Sequence, residues 1–479
     1  MSFLLYALSL ASAAQAGETR DWGAALRTDA TALHDDIAAN HPGPVNPADP
    51  GFEARNDAQL ALALKRAATA KTFADYFYAM RHYVASFNDA HLNFGVFGNT
   101  PEDYRWPGFL TRYDDDGRQR VFARAAWGPV PIGAALVGCD GKSADEVSAN
   151  ILGSIVGRWN LLSQRRQFGF MLFSNETDPY VMHPARCTFE VQGRKRTVTL
   201  DWRPTTFDAL FAKMPHEQLS RTNGMRTLPD GTRWLTLYSF NGDPGSDAGK
   251  QLTSLLKMLD TQGAAVRSAP AIVLDLRGNG GGSSDWSVQI AKRIWGEGAL
   301  AALPADNENV TWRASPANLE TIRSAFEQRT KNGGVSSEEG QWFERVIAGL
   351  EGAISAKKAV WEQPDDPEPA KAASNLPRYK LRGPVYLVTD SSCVSACLDA
   401  VDLWRALGAI HVGQETSADT LYMEIRRDEL PSKVGSISIP MKVYAGRKRG
   451  SNEPVVPQHV FHGDIRDTAA LQAWIALLH

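Results

Sequence analysis

The chain has 479 residues, 43% of them hydrophobic and 22% charged, with a formal net charge of −3. That length exceeds one ordinary hydrophobic core, so roughly two to four domains are expected. The balanced charge offers no basic field for nucleic acid, and no apolar run inside the chain is long enough to span a bilayer.

Residues 1–16 read as a secretory signal. Phe3 to Ala14 is apolar, Ala14-Gln15-Ala16 is a small-x-small cleavage site, and the amine of Met1 is the only positive charge before it. The mature chain then begins near Gly17, in a periplasmic or secreted, oxidising setting. Four cysteines suit that setting. Cys139 and Cys187 are candidates for a pair. Cys393 and Cys397 flank Ser395 and can pair if Cys393 sits in the turn before the helix, but not if both lie on a regular helix. No cysteine or histidine spacing suggests a metal site, and no cofactor is expected.

Residues 17–98 form a helical cap by pattern. Thr19 to Ala39, Phe52 to Ala68 and Phe73 to Phe87 carry apolar residues at helical spacing, and His41-Pro-Gly-Pro44 breaks the first from the second. A polar turn, Asn88-Asp-Ala-His91, follows and leads into an alternating strand. A histidine at such a junction suits a general base, although a lone histidine is more often a surface or capping residue.

Residues 99–204 read as a separate unit. Arg120 to Ala125 is an expected strand, Ala144 to Leu152 a helix, and Arg186 to Val191 with Lys195 to Leu200 a hairpin around Gly193. A Gly-apolar strand, an Asp-Gly turn, a helix and a late hairpin in that order resemble a PDZ-like domain, which captures extended chain ends by strand addition. The long Gly153–His183 segment departs from that pattern.

Residues 205–479 hold the chemistry. Thr232 to Phe240 reads as a strand and Asp247 to Asp260 as an amphipathic helix. Ala271 to Leu276 is a buried strand that breaks into Arg277-Gly-Asn-Gly-Gly-Gly282, and Trp286 to Trp295 is a helix. Clustered glycines allow positive φ and expose backbone N–H groups. The spacing is neither Gly-x-Gly-x-x-Gly nor a P-loop, so an oxyanion site is the better reading than a phosphate site. Residues 300–378 look like a helical insertion, with helices expected at Pro316 to Gln328 and Glu338 to Ala356. Gly383 to Asp390 is the next buried strand. Ser391, Ser392 and Ser395 compete for the turn before a helix at Leu398 to Leu407, where serine commonly serves as an N-cap. A serine there also gains from the helix dipole and free N–H groups.

The string Asp275-Leu-Arg-Gly-Asn-Gly-Gly-Gly282 resembles the signature of the tail-specific and tricorn-like serine peptidases, the S41 family. Ser395-Ala396 resembles that family's nucleophile segment, and Ala409-Ile-His-Val-Gly413 the strand after it. In the tail-specific, C-terminal-processing branch a lysine follows shortly, but here the chain reads Gly413-Gln-Glu-Thr-Ser-Ala-Asp-Thr420. The tricorn-like branch uses a histidine in an Asp-x-His segment, matched by His91, and a late glutamate, matched by Glu453. Ala90 stands where the tricorn core has a relay serine, leaving Asp89, Glu453 or water to orient His91.

The resemblance implies an α/β fold with a crotonase/ClpP-like ββα core, an N-terminal helical cap and a PDZ-like domain. It implies an exported serine endopeptidase acting on peptides or unfolded proteins. Catalytic Ser395, His91 and Glu453 would work with an oxyanion hole near Gly280, Gly281 and Ala396. The rival is an inactive chain of the same fold that binds peptides or apolar ligands.

Overall fold

In the computed structural model, residues 20–478 are described, apart from 99–103, 115, 175–176, 214–221, 242, 244, 305–307, 332–336 and 365–374. The expected signal segment lies outside the described residues.

Three N-terminal helices form as the periodicity predicts, at Trp22–Asn40, Phe52–Ala67 and Phe73–Ala85. Asp21 caps the first, and Thr72 with Asp75 makes a capping box on the third. Their apolar stripes do not form a closed unit. Leu26, Leu33, Tyr76 and Met80 share one core with Leu430, Ile437 and Ile439 from late in the chain. The strand Asn93–Val96, just after His91, pairs antiparallel with Gly435–Ala445 and fixes that association.

The middle of the chain builds a six-stranded sheet from Phe109–Tyr113 to Arg194–Thr199. Cys139 and Cys187 face one another across two of its strands and form a disulfide.

The region expected to be a helical insertion contains strands as well as helices. Asn309–Arg313 pairs with both Val360–Gln363 and Gly435–Ala445, and the helices Pro316–Lys331 and Ser337–Ser355 connect them. These strands are short, and Trp312 anchors a separate core beneath the helices. Strands of four or five residues that pair far along the sequence carry little local signal.

The central sheet orders its strands Gly224–Thr227, Arg233–Thr236, Ile272–Asp275, Val385–Thr389, Ile410–Gly413 and His459–Val460. All neighbours are parallel except the first pair. Ile272–Asp275 and Val385–Thr389 are buried at every position, as befits strands covered on both faces. Helices Asp247–Arg267, Asp285–Ile294 and Ala396–Ala406 contribute Leu255, Ile290 and Trp404 to the core on one face. The overall class is mixed α/β. Loops leaving the carboxyl ends of three adjacent parallel strands converge, which is where open α/β sheets place their sites.

Candidate active site

The first converging loop follows Ile272–Asp275. Asp275 and Arg277 form a buried ion pair at 2.7 Å, and Arg277 also donates to the Ile465 carbonyl at 2.6 Å. These charged residues of the signature are therefore structural struts. Asn279, fully buried, donates to the Leu237 carbonyl at 2.7 Å and accepts from the Gly281 amide at 2.8 Å. Gly281 has φ +88°, and a Cβ there would lie 2.7 Å from both the Ser395 Cβ and the Val394 carbonyl oxygen. Only glycine lets the loop lie this close to the serine turn.

The second loop follows Val385–Thr389. Buried Asp390 accepts from the Ser392 amide at 2.9 Å and from the Gly278 amide at 3.2 Å, joining the serine turn to the glycine loop. Burial pushes its pKa up, and these amides and Arg277 pull it back. Ser395 sits at the N-cap of Ala396–Ala406 with φ +60° and ψ −133°. That backbone is sparsely populated for a residue with a Cβ and is held by its surroundings. Neither Ser391 nor Ser392 occupies the cap position. Cys393 lies in the turn and Cys397 in the first helical turn, and the two form a disulfide that brackets Ser395.

The third loop follows Ile410–Gly413. Ser417 donates its amide to the Cys393 carbonyl at 3.0 Å, and buried Asp419 accepts the Ser395 amide at 2.9 Å.

His91 is carried by the loop between Phe73–Ala85 and Asn93–Val96. Asp89 accepts the His91 amide at 2.9 Å and the Thr420 hydroxyl at 2.8 Å. The Nδ1 of His91 is buried without a hydrogen bond, 3.9 Å from the same Asp89 oxygen. Fully buried His41 stands 3.5 Å from the other Asp89 oxygen, and burial drives its pKa down. His41 and Asn452 are fastened to this loop in different ways, since Asn452 donates to the Asn88 carbonyl at 2.9 Å and its amide to the Asp419 carbonyl at 2.7 Å.

Ser395, Gly281 and Ala396 pack together, and His91 is joined to the Asp419 loop through Asp89 and Thr420. Gly281 contributes shape, because its amide is committed to Asn279. The amides of Gly280 and Ala396 make no hydrogen bond among the described residues. The Ser395 hydroxyl has none either. Glu453 is exposed, and its carboxylate accepts the Gly450 amide of its own loop at 2.9 Å.

Two residues at the site have no counterpart in the sequence reading. Asp419 is one. The other is Arg158, buried, which donates its amide to Asn88 Oδ1 at 2.7 Å and a guanidinium N–H to the Ala418 carbonyl at 2.7 Å. It comes from the Gly153–His183 segment and binds the His91 loop to the Asp419 loop. Among the described residues no cluster of histidine, cysteine and carboxylate side chains could hold a metal ion.

A serine on a strand-to-helix turn, set against a glycine loop and a buried histidine–carboxylate cluster on an α/β sheet, is the layout of an acyl-transfer site. Residues 233–445 match the Peptidase family S41 profile. The same overall fold occurs in mature CPAF complexed with lactacystin, with a TM-score of 0.57 at 14% identity over 95% of this chain and 98% of that one. Mature CPAF alone gives a TM-score of 0.57 at 13% identity, covering 95% and 96%. A putative peptidase from Parabacteroides merdae is similar over 95% of this chain and 96% of its own, at 14% identity and a TM-score of 0.42. No curated protein matches.

Proposed function

We propose that this chain is an exported serine endopeptidase of the tricorn-like type, cutting peptides or unfolded proteins. The observation that carries the reading is Ser395 itself, a non-glycine residue at φ +60° on a helix N-terminus, packed against Gly281. His91 takes the proton from the Ser395 hydroxyl as Oγ bonds to the peptide carbonyl carbon. The carbonyl oxygen becomes an oxyanion, accepting from the free amides of Gly280 and Ala396. Collapse breaks the C–N bond and passes the proton from His91 to the leaving amine. Water, deprotonated by His91, then releases the acyl group. The sheet spanning Phe109–Tyr113 to Arg194–Thr199 is proposed as the PDZ-like unit that holds the substrate chain by strand addition.

The unbonded Ser395 hydroxyl favours one second reading, a peptide-binding protein of the same fold without turnover. Free enzymes, however, often tighten catalytic hydrogen bonds only with substrate bound. The test uses the mature chain from Gly17, wild type beside Ser395→Ala. Each is incubated with an unfolded protein carrying an apolar C-terminus, and products are mapped by intact mass. Fragments from wild type alone are expected. Binding without fragments from either would support the second reading.

A further inference from the structure

Three buried polar atoms beside the candidate base have no hydrogen-bond partner: His41 Nε2, Asp89 Oδ2 and His91 Nδ1. All three meet at one carboxylate. His41 Nε2 stands 3.5 Å from Asp89 Oδ2, and His91 Nδ1 stands 3.9 Å from Asp89 Oδ1. Leaving such groups unmatched is costly. A movement of less than about 1 Å at each ring would bring both within hydrogen-bond reach of Asp89.

The carboxylate and the inner histidine are both held in place. Asp89 Oδ1 accepts the His91 amide and the Thr420 hydroxyl. The His41 ring is fully buried, stacks on Phe52 at 4.5 Å and meets Tyr422 edge-on at 4.7 Å. The Gly43 amide donates to His41 Nδ1 at 2.8 Å. A ring nitrogen that accepts a bond carries no proton, so the proton of a neutral imidazole lies on Nε2, the atom facing Asp89. The His41-Pro-Gly-Pro44 segment that ends the first helix thus supplies both the ring and the amide that sets its tautomer.

We propose that His41 and Asp89 are positioning residues for the base: neutral His41 donates from Nε2 to Asp89, and Asp89 orients His91 and offsets its positive charge when it takes the serine proton. This rests on the peptidase reading above. Burial keeps His41 neutral by driving its pKa down. For Asp89 burial acts upward, but the two histidines and the His91 amide outweigh it and hold the carboxyl below its ordinary range. The other charged groups facing this array are few. Asp49 and Arg55 lie beside His41 and pair with each other at 2.7 Å. Asp419 and Arg158 lie on the loops packed against Asp89 and His91.

His41→Asn and His41→Gln test this, because each deletes a different hydrogen bond. Asparagine keeps an acceptor for the Gly43 amide and loses the donor to Asp89, whereas glutamine keeps the donor and loses the acceptor. Both remove the ring packing, so a merely structural His41 predicts equal losses. In the active enzyme kcat is expected to fall about 30-fold in His41→Asn, with KM within about threefold, and only about threefold in His41→Gln. Asp89→Asn is expected to lower kcat about 10²-fold. An activity-independent measurement separates this proposal from the peptidase reading. The imidazole nitrogens are observed by NMR in a Ser395→Ala background. His41 is expected to carry its proton on Nε2 from about pH 5 to 8. Adding Asp89→Asn is expected to lower the His91 midpoint by about one unit, whether or not peptide cleavage is ever detected. The His41 tautomer needs no substitution in the array, so it decides even where a variant fails to fold. Equal kcat losses in the two His41 variants, a proton on His41 Nδ1, or an unmoved His91 midpoint would overturn the proposal. If wild type and Ser395→Ala are equally inert, the peptidase reading fails and the NMR readouts still decide the array.

Discussion

The Ser395 amide donates to Asp419 Oδ2 at 2.9 Å, joining a residue at φ +60° to a carboxylate 24 positions further along the chain. A positive φ at a residue with a Cβ costs of order 1–3 kcal/mol and persists only where neighbours impose it. Here the neighbours are Asp419, the Gly281 backbone and the Cys393–Cys397 disulfide. The energetic strain and the proposed chemistry lie on the same residue.

Close approach of the glycine loop separates two adjacent glycines. A Cβ at Gly281 meets the Ser395 Cβ at 2.7 Å, whereas one at Gly280 meets nothing within 4 Å. Gly281→Ala is expected to cost about 2–3 kcal/mol of stability and at least about 10²-fold in kcat. Gly280→Ala keeps its amide and is expected to fold normally and lose less than about tenfold. Urea melts and initial rates on both variants check the pair, and equal behaviour would contradict the packing argument.

The Asp275–Arg277 pair supports the loop without touching the reacting atoms. Arg277→Met leaves a buried carboxylate behind and is expected to lower stability by about 3–5 kcal/mol. The double variant Asp275→Leu/Arg277→Met removes both charges and is expected to recover at least about half of that loss. A double-mutant cycle by chemical denaturation measures the coupling.

The Cys393–Cys397 bridge encloses Ser395, and both residues are fully buried. Its short loop restrains little of the unfolded chain, so Cys393→Ala/Cys397→Ala is expected to cost only about 2 kcal/mol. The effect on the serine turn should be larger, with kcat falling at least about tenfold. Thiol titration of the native wild type is expected to find no accessible thiol. Unchanged kcat in the double variant would show that Asp419 and Gly281 hold the turn unaided.

Acid stability follows from two buried imidazoles. Burial drives the pKa of His411 down to about 3, and that of His41 down as well. A depressed folded-state pKa contributes stability above the unfolded value near 6.5, and that contribution is lost as pH falls toward the folded value. Over that window each group should remove up to about 1.4 kcal/mol per pH unit. His411→Gln is expected to flatten the decline between about pH 6.5 and 4 in urea titrations. An unchanged slope would assign the acid sensitivity elsewhere.

Local pattern made much of this molecule legible. The three N-terminal helices, the buried strands at Ile272–Asp275 and Val385–Thr389, and the serine turn follow from periodicity and turn residues. Asp419 and Arg158 were not legible. Asp419 lies in an aperiodic polar run, Glu415-Thr-Ser-Ala-Asp419, that reads as solvated until the fold covers it. Arg158 meets Ala418 across 260 positions, a contact that no local signal announces. Glu453 shows the converse, since the family resemblance singles it out while the fold leaves its carboxylate exposed on its own loop.

The central claim, that Ser395 is the nucleophile, is tested most directly by covalent labelling. The protein is treated with a fluorophosphonate and the adduct is mapped by peptide mass spectrometry. The adduct is expected on Ser395, absent from Ser395→Ala, and formed at least about 10²-fold more slowly in His91→Ala. Labelling of Ser391 or Ser392 instead, or labelling of Ser395 at the same rate without His91, would contradict the account.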